Sequence, residues 1–171
     1  MRIYIACALT HVPRALFSEY VASLHNLAAT LQERGGHSVK YAILNSDPQL
    51  ASKPPNERAR LCYLWDREMV EDAELVIGEC SFPSTGLGIE LQIAAAKGTP
   101  IILCFRDYEG NRSEPISYAT PDRSVHELQI GEGYITLMAL GLPTVLRVVR
   151  YDGARGSIAG ILDAVALLQR S

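Results

Sequence analysis

Two carboxylates, Glu90 and Asp66, carry the chemistry that this sequence offers. Glu90 lies in the stretch EDAELVIGECSFPSTGLGIELQIAAAKGTP, residues 71–100, which reads as an apolar strand around Leu75, Val76 and Ile77, a loop of small residues, and a helix. Its neighbours at helical spacing include Leu87, Ile93 and Ala94, and none of them can neutralise it. Two ordinary roles compete with a catalytic one: a solvated acid favoured by the helix dipole, or half of a capping box. The capping box fails on spacing, because it makes Leu87 the cap. The dipole role stays open against that of a site carboxylate. Asp66 repeats the pattern, with Cys62, Tyr63, Met69 and Val70 as its helical neighbours. Alone it reads as a surface acid at a helix edge. Paired with Glu90 it supplies a minimal kit for acid-assisted displacement at an acetal-like carbon.

Other residues offer less. The loop Ser84-Thr85-Gly86-Leu87-Gly88 exposes backbone N–H groups before a helix, an arrangement that suits an anion, yet Ser and Gly after a strand are also ordinary turn chemistry. It is neither a Walker loop nor a GxGxxG fingerprint. Tyr4 reads as a core tyrosine whose hydroxyl finds backbone, and Met138 as helix packing. The histidines His11, His25, His37 and His126 are dispersed without metal-ligand spacing, so neither a metal nor another cofactor is expected. Cys7, Cys62, Cys80 and Cys104 form no CxxC pair and read as free thiols of a reducing, cytoplasmic compartment.

The elements that must position these groups follow from periodicity. Residues 2–9 form a continuous apolar run, as in a buried parallel strand. A long amphipathic helix spans residues 15–34, with Phe17, Val21, Leu24, Leu27, Ala28 and Leu31 on one face and Gly35 and Gly36 as the stop. A second strand is expected at 39–44 and a loop, from its prolines, at 45–56. A helix at 57–72 puts Leu61, Leu64, Trp65 and Met69 on one face. After the strand and helix that carry Glu90 come a strand at 100–105 and a polar flap or insertion at 106–129. A short helix at 134–140, a strand at 144–150 and a closing helix at 158–168 complete the chain. Strands alternating with helices imply right-handed crossovers and a parallel sheet covered on both faces.

Composition agrees with a single domain: 171 residues, 48% apolar and 20% charged. The net charge of -3 gives no field for a nucleic-acid polymer, so a small molecule is the expected partner. No apolar run approaches a membrane span, and the first residues enter periodic structure without a cleavage-site pattern.

Taken together, the segment LWDREMVEDAELVIGECSFPSTGLGIELQIAAAKGTPIILCF, residues 64–105, resembles the nucleoside 2-deoxyribosyltransferase superfamily, and within it the 2'-deoxynucleoside 5'-phosphate N-hydrolases. Asp66 and Glu90 stand at that family's separation, 24 residues, and IYIACA and YITLMALG match more loosely. The resemblance implies that Glu90 is a nucleophile forming a glycosyl-enzyme ester, that Asp66 assists departure of the base or orients the sugar, and that Tyr4 is a site tyrosine. It implies that Ser84 and Gly86 hold a 5'-phosphate. Thr136 and Met138 then match a phosphate-binding serine and a methionine that enter the site from a neighbouring subunit, which implies a homodimer or higher homo-oligomer with shared active sites.

The chain departs from the pattern where the hydrolases carry a Gly-Ser-x-Arg turn. Here the residues are Cys7, Ala8, Leu9 and Thr10, and the second strand, KYAIL, lacks a histidine. Arg14 or Lys53 is left to replace that grip on phosphate. The expected activity is cleavage of the N-glycosidic bond of a (deoxy)nucleoside 5'-monophosphate. A transferase exchanging bases on free nucleosides and a nucleotide-binding sensor without turnover are the alternatives. The expected fold is α/β, a flavodoxin-like or Rossmann-like three-layer sandwich with a five-stranded parallel sheet in order 2-1-3-4-5 and the site at its switch point.

Overall fold

The computed structural model describes residues 1–152 and 158–169. Its five-stranded parallel sheet comprises β1 (Arg2–Cys7), β2 (Ser38–Tyr41), β3 (Leu75–Glu79), β4 (Ile101–Phe105) and, later in the chain, β7 (Val145–Arg150). Their spatial order, β2-β1-β3-β4-β7, is the expected 2-1-3-4-5. The register pairs Cys7 with Glu79 and Glu79 with Cys104, so the carboxyl ends of the three central strands are level. Side chains alternate between two cores. Ile3, Ile5, Leu75, Ile77 and Ile102 meet Leu24, Leu27 and Leu31 of α1 (Phe17–Gly35) and Ile161 and Val165 of α7 (Ala159–Leu168). Tyr4, Ala6, Val76 and Leu103 meet Met69 and Val70 of α4 (Pro55–Asp72) and Leu91 and Ala94 of α5 (Thr85–Lys97). Both faces are thereby dry, which is why these strands read as unbroken apolar runs.

α1 stops where Gly36 enters the left-handed region at φ 62°, its N–H satisfying the carbonyls of Gln32 and Leu31. Gly78 has a different task in β3. A Cβ there would lie 3.0 Å from side-chain carbons of both Leu91 and Leu103, so the missing side chain lets α5 settle on the sheet.

Several elements differ from the sequence expectation. The second strand ends at Tyr41, and the chain turns at once into α2 (Ala42–Asn45) and α3 (Asp47–Leu50), one turn each, where strand and loop were expected. The Asn45 side chain closes that turn by accepting the Tyr41 N–H at 2.9 Å. Pro48 and Pro55 sit within the first turns of α3 and α4, where a missing N–H costs nothing; they start helices instead of marking a loop. On α4, Leu64 faces solvent and Val70 is buried in its stead. The flap contains an antiparallel hairpin, β5 (Ser117–Ala119) with β6 (Val125–Glu127), every residue of which is exposed and so leaves no alternation to read. The helix expected at 134–140 shrinks to α6 (Leu137–Leu140). Among the described residues no helix is long and apolar enough to cross a membrane.

Candidate active site

Glu90 sits in the second turn of α5, because the helix begins earlier than its acid suggests. Ser84 is the N-cap and accepts the Leu87 N–H at 3.3 Å. Glu90 therefore lies beyond the first turn and faces the sheet, 9% exposed. Neither ordinary role survives: it does not cap, and it is not solvated. The Tyr4 hydroxyl, on β1, donates to Glu90 Oε1 at 2.7 Å, so Tyr4 finds a carboxylate where backbone was expected. Oε2 of Glu90 has no partner among the described residues. Burial pushes the Glu90 carboxyl up to about 8, the Tyr4 hydrogen bond opposes that rise, and the charge of Asp66 adds to it. At neutral pH, then, the ligand-free site holds Glu90 mostly protonated, not ready-ionised.

Asp66 comes from the middle of α4 and is half-buried. The Ser46 hydroxyl donates to its Oδ1 at 2.5 Å and the Cys62 thiol to its Oδ2 at 3.4 Å. Its charge acts on Glu90, Tyr4 and Cys7, which places it on the same cleft and not at a solvated helix edge. Burial is the main cause that raises the Cys7 thiol, and the Cys62 thiol is raised to about 11, so neither is a thiolate at neutral pH. No basic side chain is among the charges that act on Glu90 or Tyr4. Arg14 is exposed, with its guanidinium over the Phe17 ring at 5.8 Å.

The remaining expected site residues fall elsewhere. Ser84 and Thr136 line one cavity of about 620 Å³ on the other flank of α5, under the flap, together with Phe82, Leu91, Asn111 and Tyr134. Its walls carry no Asp, Glu, Lys or Arg and exclude Tyr4, Asp66 and Glu90. Both hydroxyl oxygens already serve helix ends, since Thr136 caps α6 by accepting the Ala139 N–H at 3.4 Å. Gly86 lies exposed in the first turn of α5, and Met138 is 85% exposed on α6. Ser84 and Thr136 thus come together within one chain, whereas Gly86 and Met138 line neither region.

Two groups escaped the sequence reading. Ser46 fell in the stretch taken for a loop. Glu79, closing β3, is 0% exposed and accepts from Ser81 and from Tyr151 Oη at 3.0 Å; burial raises its carboxyl. A carboxylate ending an apolar strand was a visible signal for Glu79. Ser46 had none. Among the described residues no group of His, Cys, Asp and Glu is arranged to hold a metal.

No family model and no curated protein sequence matches the chain. Solved structures do. The CMP N-glycosidase BcmB of Clostridium botulinum is 19% identical over 96% of this chain and 99% of its own, with a TM-score of 0.52. A conserved protein of Enterococcus faecalis V583 is 19% identical over 99% of this chain and 98% of its own, with a TM-score of 0.61. A 2-deoxyribosyltransferase of Bacillus psychrosaccharolyticus is 21% identical over 60% of this chain and 71% of its own, with a TM-score of 0.47. At such identities the first two likenesses establish the shared fold.

Proposed function

We propose that the chain is an enzyme acting on the N-glycosidic bond of a nucleoside or nucleotide, and specifically an N-glycosidase of a (deoxy)nucleoside 5'-monophosphate or a close relative. One observation carries this reading: a buried carboxylate, Glu90, with one oxygen gripped by Tyr4 and the other unpartnered, beside a second carboxylate on the same cleft. The unpartnered Oε2 is the atom suited to attack. As the bond from C1' to the base nitrogen breaks, its electron pair leaves with the base, positive charge grows on the sugar, and Oε2 captures C1' as an ester. The base takes a proton as it departs. Glu90 holds one at neutral pH and must lose it before attack, and Asp66 is the neighbour that relays it. Water then hydrolyses the ester and releases the sugar.

Tyr4 keeps Oε1 fixed during both steps. Ser84, Gly86 and Thr136, around the start of α5, hold the remote part of the substrate. Met138, which its own chain leaves exposed, is presented to a second copy in a homodimer or larger assembly with shared sites. The likeness in fold to a CMP N-glycosidase is in keeping with this reading, and four free cysteines fit a reducing compartment such as the cytoplasm.

A second reading, a transferase exchanging bases on free nucleosides, is favoured by the lack of basic side chains among the charges acting on the cleft. The test is chromatographic detection of free base from ribo- and deoxyribonucleosides and their 5'-monophosphates, with Glu90→Gln alongside. Base released from monophosphates by the unmodified protein alone supports the hydrolase. Release from free nucleosides, with a new nucleoside formed when a second base is added, supports the transferase. An undiminished rate in Glu90→Gln overturns both, and ligand binding without any release leaves a sensor.

A further inference from the structure

Asp66 is aimed by a residue outside its own helix. Ser46 lies between α2 and α3, 2% exposed, and its backbone is bolted on both sides. Its N–H donates to Ala42 O at 3.1 Å, and its carbonyl accepts from Gln49 at 3.1 Å and Leu50 at 3.3 Å. The turn that delivers it from β2 is itself closed by Asn45. The hydroxyl therefore has little freedom. It lies 2.5 Å from Asp66 Oδ1 and 3.5 Å from Ala42 O, and its single proton belongs to the shorter contact and the charged acceptor. The only other donor recorded on the Asp66 carboxylate is the Cys62 thiol at 3.4 Å, a weak one.

We infer that Ser46 is a positioning residue, whose hydroxyl fixes the Asp66 carboxylate in the orientation that serves Glu90 and the departing base. The inference rests on the proposed glycosidase function. It explains why the chain folds two short helices between β2 and α4: they carry a rigid donor to the one oxygen that α4 cannot supply. A carboxylate free to rotate about its last torsions would spend most of its time misaimed, and misplacement at this scale costs rate more than affinity.

The test compares base release by Ser46→Ala, Ser46→Thr, Asp66→Asn and the double variant Ser46→Ala with Asp66→Asn, using the substrate that the wild-type protein cleaves best. Ser46→Ala is expected to lower kcat by about tenfold or more, the worth of one hydrogen bond to a charged group, with KM within about twofold. Ser46→Thr restores most of the loss, and Ser46→Ala adds less than about twofold in the Asp66→Asn background, because two residues acting through one contact are not additive. A thermal melt keeps stability apart from rate. An unchanged kcat in Ser46→Ala, a loss that Thr does not restore, or a full further loss on Asp66→Asn overturns the assignment alone. A wild-type protein that releases no base from any substrate overturns the proposed function and this role together.

Discussion

The two flanks of α5 bury different things. On the flank toward β1 and α4 stand Glu90, Tyr4 and Asp66, with no cation among the charges that act on Glu90. On the flank toward the flap lies the neutral cavity, walled by aliphatic and aromatic side chains with hydroxyls and amides at its rim. Charge is concentrated where a bond can be broken, and neutral area lies where a ligand can be held. The difference teaches that one helix serves both, and that substitutions on its two sides should separate rate from affinity.

Glu90→Gln tests that separation at its largest. It is expected to lower kcat for base release by about a thousandfold or more, since the amide cannot form the ester. A kcat effect of the same size from Leu137→Ala, in the cavity wall, would break the comparison.

Leu91 belongs to both sides, as a cavity wall and as a buried contact of α5 on the sheet. Leu91→Ala should cost about 3 kcal/mol of stability, read from the denaturant midpoint, and should impair kcat and KM together. Loss of only one parameter would mean that the flanks are not coupled through the helix seat.

The pH dependence sharpens the electrostatic half. Burial holds the Glu90 carboxyl at about 8, above its ordinary value of 4.5, so the folded state binds a proton that the unfolded state has released. That contribution to stability is fully present below the unfolded value and is lost as pH rises through about 8. Stability should therefore fall between about pH 4.5 and 8 in the wild-type protein, by an amount on the order of a few kcal/mol, and Glu90→Gln should remove that slope. Tyr4→Phe takes away the hydrogen bond that favours the charged form, so it should carry the decline to higher pH and slow base release about tenfold. A slope untouched by Glu90→Gln would assign the titration to another group, Glu79 first.

The smallest effect is expected in the cavity. Thr136→Val and Leu137→Ala should raise KM by about twofold to fivefold and leave kcat unchanged. An unaltered KM in both would remove the cavity from substrate holding.

Much of this architecture was legible because the code for it is local. Unbroken apolar runs marked the parallel strands, three-and-four spacing marked α1 and α4, and the strand order followed from alternation and crossover handedness. Glu90 and Asp66 stood out because neither has a helical neighbour of opposite charge. Their environment was not legible, since nothing around residue 90 in the chain announces Tyr4, 86 positions away, as its hydrogen-bond partner. Ser46 was hidden for a related reason: Pro48, Pro54 and Pro55 suggest a loop, whereas Pro48 and Pro55 open helices.

The sequence by itself determined the elements, their order and the residue types able to do chemistry, because hydrophobic periodicity and backbone stereochemistry act over a few residues. Tertiary structure alone decided that Glu90 is buried and bound to Tyr4, that Asp66 is aimed by Ser46, and that Ser84 and Thr136 face a different cavity. Desolvation, carboxylate pairing and cavity shape are properties of groups brought together from distant positions, and only the packed sheet with its helices sets those distances.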